Sequence, residues 1–163
     1  MTGASFAMMG AVAPRAPAPA APALDPVLDF MRLLWRIEHS LQATSKHMEA
    51  RLGITGPQRL VLKIVSQFPG ITPGDLSRIL HLHPSTITGV VQRLVDKGLL
   101  ARDRDRQDTR RVHLRLRPRG LPFTRRAAGT IEAAVAGALD RAPSAHVQHA
   151  RQVLDAIAAA LDG

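Results

Sequence analysis

The stretch HLHPSTITGVVQRLVDKGLL, residues 81–100, places small polar and basic side chains at helical spacing. Its apolar residues fall on one stripe of the predicted helix, as expected of a face that packs on a core. On and beside the opposite face lie Ser85, Thr86, Thr88, Gln92 and Arg93. Hydroxyl, amide and guanidinium groups can form the hydrogen bonds that distinguish base edges in a DNA major groove. The positive potential of the helix N-terminus also favours phosphate.

The alternative to a DNA-binding role is that this face is ordinary solvent-exposed helix surface. Gly89 favours a more specific role, because a glycine in mid-helix costs about 1 kcal/mol relative to alanine. A face that must approach another surface closely would explain why glycine occupies this position.

The following segment, residues 98–120, has the pattern of a two-stranded hairpin with an arginine-rich outer face. Val112, Leu114 and Leu116 alternate with polar residues, which is typical of a half-buried strand. The arginines of this segment are Arg102, Arg104, Arg106, Arg110, Arg111, Arg115, Arg117 and Arg119. A charged run is usually solvated surface, but arginines on a hairpin beside such a helix suit a phosphate-binding wing.

The whole chain is basic, since 22 Lys and Arg against 13 Asp and Glu give a formal charge of +9. Such an excess favours a polyanionic partner, either nucleic acid or, less often, an anionic membrane surface. No segment is apolar for long enough to cross a bilayer, so no membrane association is predicted. The N-terminus lacks the basic start of a signal peptide, which predicts a cytoplasmic location. The absence of Cys excludes disulfides, thiolate metal sites and thiol redox sensing.

Capping and breaker residues divide the chain into predicted helices. Asp25 begins a helix that ends at Gly53, and Thr55 with Gln58 has capping-box spacing at the start of the second helix. The expected buried residues of the second helix are Leu60, Val61, Ile64, Val65 and Phe68.

Two short helices, residues 73–82 and 84–97, follow each other across a very short turn, which is the helix-turn-helix arrangement. After the hairpin, further helices are predicted at about 121–141 and from 143 onward. The predicted fold is therefore mainly α-helical with a small β-hairpin wing.

These elements predict a winged helix-turn-helix DNA-binding domain at residues 55–118. Residues 24–54 and 119–163 would form a helical dimerisation region, because their apolar surface exceeds what one winged unit can cover. An intrachain bundle in a monomer is the alternative to a homodimer. Residues 1–23 are an Ala/Pro-rich tail that is predicted to be disordered.

The run HPSTITGVVQRLVDKGLLAR, followed by DTRR and LRPRG, resembles the MarR family of winged helix-turn-helix regulators. The resemblance extends from about residue 25 to the C-terminal end. It implies a homodimer that regulates transcription, a repressor by default, on a pseudo-palindromic operator in double-stranded DNA. Its recognition helices would enter successive major grooves, and its wings would reach the flanking minor groove.

Carried over by position, the resemblance gives DNA-contacting roles to several residues. Arg110 would enter the minor groove, and Asp108 would hold its guanidinium. Two positions depart from the family pattern: Gly89 replaces a longer polar or basic residue, and Arg117 replaces a threonine. The complete expected set is Ser85, Thr86, Thr88, Gln92, Arg93, Arg104, Arg106, Asp108, Arg110 and Arg111.

The resemblance also implies a possible effector, because many members release DNA when a small phenolic or other aromatic acid binds. Arg32, Trp35, Arg36 and His39 on the first helix combine a flat apolar surface with cations. The alternative is that Trp35 packs in the core or an interface and that the arginines are solvated.

No cofactor, metal site or enzymatic activity is predicted. The histidines have no accompanying Cys or dense carboxylates. The chain has no Gly-rich phosphate loop, nucleophile elbow or paired acids at useful spacing. Two other classes remain open: a sequence-neutral architectural DNA-binding protein and a protein-interaction adaptor that uses the Ala-rich helices.

Overall fold

The computed structural model describes residues 24–104 and 111–162, which form a mostly helical protein with one antiparallel hairpin. The predicted fold class is confirmed, whereas the predicted tail, residues 1–23, lies outside the described residues. In chain order the elements are α1 (Pro26–Leu52), α2 (Gly56–Gln67), α3 (Pro73–Leu80), α4 (Pro84–Asp96), β1 (Leu100–Arg104), β2 (Val112–Leu116), a 3-10 helix (Pro118–Thr124), α5 (Ile131–Leu139) and α6 (Ser144–Asp162).

Local capping sets the limits of the first helices as predicted. The carboxylate of Asp25 accepts hydrogen bonds from the backbone N–H groups of Val27 and Leu28 at the start of α1. Gly53, at φ 74°, ends α1 in the left-handed conformation that glycine adopts readily. Both hydrogen bonds of the Thr55–Gln58 capping box are present at the start of α2.

One hydrophobic core joins α2, α3, α4 and the hairpin. Its fully buried members include Leu62, Leu76, Ile87, Val91, Leu94, Leu100 and Leu114. The backbone N–H of Gly70 donates to the carbonyl of Leu114, and the Leu114 N–H donates to the carbonyl of Ile71. The loop before α3 is therefore bonded to β2, which fixes the hairpin against the helix-turn-helix.

The predicted buried stripe of α2 is wrong at two positions. Leu60 is 48% exposed and Phe68 is 50% exposed, whereas Val61, Leu62 and Val65 are buried. The core lies on the side of α2 that faces α4 and β2, and helical periodicity alone does not reveal that direction.

The predicted continuous helix over 121–141 is also wrong. The chain leaves the hairpin as a short 3-10 helix that contains Pro122, and α5 begins only at Ile131. Gly129 has a φ of 69°, and the Thr130 hydroxyl caps α5 by accepting from the Ala133 N–H. Proline, a left-handed glycine and a capping threonine together account for the break.

Helices α1, α5 and α6 carry a large exposed apolar surface. No residue of α5 or α6 is fully buried. The exposed apolar side chains of the three helices are Val27, Leu28, Phe30, Met31, Trp35, Ile37, Leu41, Val135, Leu139, Val153, Leu154 and Leu161. None of the described helices is both long and apolar enough to span a bilayer.

Candidate nucleic-acid interface

The N-terminal end of α4 presents hydroxyl groups in a defined local geometry. His83 is the N-cap, and its Nδ1 lies 2.7 Å from the Ser85 Oγ and 3.3 Å from the Ser85 N–H, which donates to it. The Thr88 hydroxyl donates to the carbonyl of Pro84 at 2.8 Å. Ser85, Thr86 and Thr88 are all exposed, so their oxygen atoms can accept further hydrogen bonds from a partner.

Farther along the same face, the Gln92 amide is held between two charged side chains. Its Nε2 donates to the Asp96 carboxylate at 2.7 Å, and its Oε1 accepts from the Arg102 guanidinium at 2.9 Å. The sequence pattern did not predict this contact between α4 and β1, because Arg102 belongs to a different element.

Gly89 leaves open space on α4, as the mid-helix glycine suggested. A Cβ added there would meet only the Arg93 Nη2, at an ordinary contact distance of 3.7 Å. Packing within the described residues therefore does not require glycine, which favours a close approach by something outside the chain.

The hairpin formed by β1 and β2, called the wing below, is paired from Leu100 with Leu116 to Arg104 with Val112. Arg104 and Arg111 are exposed where the two strands approach the tip. Arg106, Asp108 and Arg110 lie outside the described residues, so their predicted arrangement remains a prediction.

One ion pair neutralises part of the charge of the wing. The Arg115 Nε donates to the Asp103 carboxylate at 2.7 Å. This hydrogen bond, together with the charges of Arg115 and Arg117, holds the pKa of Asp103 below its ordinary value. The basic character of the wing is therefore smaller than its arginine content suggests.

His113 and Lys97 make contacts that the sequence did not predict and that fix the positions of β2 and α4. His113 Nδ1 lies 2.7 Å from the carbonyl oxygen of Gly70, which ties β2 to the loop before α3. At the end of α4, the Lys97 ammonium donates to the Gly53 carbonyl and to the Gln58 side chain. Lys97 thereby joins α4 to the junction between α1 and α2.

A buried arginine joins the winged unit to α5. Arg59 on α2 is 2% exposed, and its guanidinium forms an ion pair with Glu132 and donates to the Arg125 carbonyl. Nearby, Lys63 donates to the carbonyl of Thr124, and Arg51 donates to that of Ala128. Cations from α1 and α2 thus hold the segment that leads into α5, and only the tertiary structure reveals this arrangement.

The predicted effector residues share one face of α1 but do not form an enclosed site in this chain. Trp35 is 62% exposed, Arg36 and His39 are exposed, and Arg32 pairs with Asp29 at 2.6 Å. A cavity of about 540 Å³ lies elsewhere, between α2 and α5, with Lys63 in its lining. Within residues 24–104 and 111–162, no cluster of three or more potential metal ligands occurs.

Part of the chain, from the start of the helix-turn-helix region to the beginning of β2, is similar to a known protein family. The model of the MarR family matches residues 54–112, which run from the α1–α2 junction to the first residue of β2. Over these residues the chain is similar to the MarR family. It is a transcriptional regulator with a winged helix fold.

Relatives of this chain extend the similarity beyond the matched region. An HTH-type transcriptional repressor of Mycobacterium tuberculosis is 28% identical over 123 residues, which cover 76% of this chain and 88% of the repressor. The PcaV transcriptional regulator of Streptomyces coelicolor, crystallised with its natural ligand, is 28% identical with a TM-score of 0.68. That comparison covers 86% of this chain and 99% of PcaV.

A MepR–DNA complex from S. aureus has the same TM-score of 0.68 at 20% identity, covering 81% of this chain and 97% of MepR. At that identity, the comparison shows only that this chain shares the fold of MepR.

Proposed function

We propose that this protein represses transcription by binding a pseudo-palindromic operator in double-stranded DNA as a homodimer. The observation that carries the proposal is the exposed polar face of α4 beside the basic wing, both fixed on one core. A dimer bound at a promoter would exclude polymerase. The proposed location is the cytoplasm, where a transcriptional regulator of this kind would meet its DNA.

In the proposed complex, α4 lies in the major groove and the wing follows the adjacent backbone. Ser85, Thr86, Thr88, Gln92 and Arg93 would face base edges and phosphates from α4. The wing would contribute Arg104, Arg106, Asp108, Arg110 and Arg111, with Arg110 in the minor groove. Arginine contacts to phosphates would set the register, and the α4 side chains would discriminate between bases.

The exposed apolar surface of α1, α5 and α6 supports the homodimer. Monomeric proteins rarely expose contiguous apolar patches of more than a few hundred Å². Apolar residues on helices from both ends of the chain suit a symmetric interface. Such a dimer would place two recognition helices about 34 Å apart, one turn of DNA, and would therefore require an operator with two half-sites.

The first experiment is to measure binding of the purified protein to the DNA immediately upstream of its own gene, with scrambled DNA as control. The salt concentration is varied in both series. We expect a preference of about a thousandfold or more for one site. Equal binding to both DNAs at every salt concentration, followed by failure to select any site from random DNA, would instead favour a sequence-neutral architectural protein.

We predict that Arg104→Ala weakens binding to specific and scrambled DNA alike. Loss of one phosphate contact should lower the slope of log affinity against log salt by about 0.9. Arg151→Ala is the matched control, because it removes the same charge from exposed α6, outside the proposed DNA face. A slope that changes equally in both variants, or in neither, would contradict the role of Arg104.

We further propose that a small aromatic acid regulates DNA binding through Arg32, Trp35, Arg36 and His39. Support comes from the ligand-bound PcaV relative and from the spacing of these four residues along one face of α1. Trp35 is the only Trp in the chain, so its fluorescence reports on this surface directly. We expect a saturable fluorescence change with benzoate-type acids that is lost in Arg36→Ala, together with weaker DNA binding. Aromatic acids that alter neither property would contradict this proposal.

A further inference from the structure

The Gln92 side chain has a defined amide orientation because its two neighbours have opposite hydrogen-bonding character. A carboxylate such as that of Asp96 only accepts hydrogen bonds, and a guanidinium such as that of Arg102 only donates them. The Gln92 nitrogen therefore faces Asp96, at 2.7 Å, and its oxygen faces Arg102, at 2.9 Å. Rotation of the amide by 180° would place like groups together and lose both hydrogen bonds.

This arrangement uses half of the hydrogen-bonding capacity of the amide. The Gln92 nitrogen has two N–H donors and its oxygen has two lone pairs, and one of each is engaged. One donor and one acceptor remain, on a side chain that is exposed on the polar face of α4. Paired recognition of adenine by glutamine needs this combination: a donor for N7 and an acceptor for the N6 amino group.

We propose that Gln92 reads an adenine in each half-site and that Arg102 and Asp96 are its positioning residues. This inference rests on the proposed DNA-binding function, to which it adds the identity of one base in each half-site. A free glutamine must stop rotating when it binds, whereas the held Gln92 loses less conformational freedom on contact. Arg102 also belongs to β1, so the orientation of the base-reading group depends on the position of the wing relative to α4.

The test is selection of binding sites from random DNA by the full chain, followed by competition between sites that differ at one base. The wild-type protein should prefer adenine over other bases at one half-site position by about 5- to 150-fold, the range for a bidentate contact. Gln92→Ala should abolish that preference at the same position. All three residues are exposed, so thermal unfolding should change little in the variants.

Asp96→Ala separates positioning from general support of the fold. It removes a negative charge from the proposed DNA face, so affinity for non-specific DNA should not fall. The preference for adenine should nevertheless decrease at the position that Gln92 reads. Arg102→Ala should decrease that preference too. Arg115→Ala is its control, since it removes an arginine from β2 without touching Gln92 and should leave the adenine preference intact.

Each contrary outcome has a distinct meaning. A wild-type protein that selects no sequence would overturn the proposed function, and this inference with it. Clear selection in which Gln92→Ala changes no position, or changes a position that prefers another base, would overturn the reading of adenine alone. Loss of the preference in Gln92→Ala but not in Asp96→Ala or Arg102→Ala would overturn the positioning role.

Discussion

Glu132→Ala should lower the free energy of unfolding by about 3 kcal/mol, toward the lower end of the range for breaking a buried ion pair. The substitution leaves the guanidinium of Arg59 buried without its carboxylate partner, while the hydrogen bond to the Arg125 carbonyl remains. The expected loss lies near the lower end of that range because the Glu132 side chain is 29% exposed. Water can therefore partly replace the carboxylate as a partner of Arg59. Denaturant unfolding followed by circular dichroism measures the change.

The control is Asp155→Ala, which removes a carboxylate from the exposed Arg151–Asp155 pair on α6. We expect a change of less than about 0.5 kcal/mol there, because exposed pairs contribute little. The double variant Arg59→Met/Glu132→Leu should recover much of the lost stability, since no unpaired charge remains buried. Equal losses in Glu132→Ala and Asp155→Ala would show that the Arg59 pair does not support the joint to α5.

The same pair has a predictable pH dependence. Burial acts to raise the pKa of Glu132, but the hydrogen bond and charge of Arg59, with hydrogen bonds from the Glu132 backbone and Thr130, outweigh it and hold that pKa below its ordinary value. A depressed pKa in the folded state stabilises the protein above the unfolded pKa of about 4.3. This contribution should disappear as the pH falls further, through the folded pKa. In Glu132→Gln, the corresponding part of the acid-induced loss of stability should be absent.

Gly120→Ala should destabilise the protein by about 3 kcal/mol, the upper end of the usual cost of overpacking. An added Cβ would lie 2.6 Å from the carbonyl oxygen of Leu99 and 2.8 Å from the Leu116 Cδ1. The Leu99 carbonyl cannot move aside cheaply, because it accepts a hydrogen bond from the Arg117 N–H at 3.0 Å. The measurement is again denaturant unfolding.

Gly89→Ala is the matched control, and it should raise the free energy of unfolding, whereas Gly120→Ala should lower it. Its added Cβ meets no atom closer than 3.7 Å, so alanine should stabilise α4 by about 0.5–1 kcal/mol. We expect the same variant to bind DNA more weakly, because the methyl group would occupy the space through which DNA approaches. Stronger or unchanged DNA binding would contradict a close approach at Gly89, and equal stability of both alanine variants would contradict the packing argument at Gly120.

The sequence alone determined the features that depend on neighbouring residues. The starts of α1 and α2 follow from Asp25 and from Thr55 with Gln58, because capping is completed within one helical turn. The apolar stripe of α4 and the alternation of β2 predicted this helix and a strand of the hairpin, since each pattern has a fixed period along the chain. The same local patterns carried the family resemblance that the comparisons confirmed.

The tertiary structure decided which residues meet across elements. Helical periodicity did not show that Leu60 would be exposed and Arg59 buried, because the direction of the core depends on where α4, β2 and α5 pack. The partners of Gln92 belong to two elements, so spacing within α4 indicated its face but not its orientation. Gly120 ends the LRPRG run that carried the resemblance, but its close contact with the Leu99 carbonyl forms only when the chain returns beside the wing. Local hydrogen bonding and periodicity are encoded over a few residues, whereas burial and pairing depend on the packing of the whole chain.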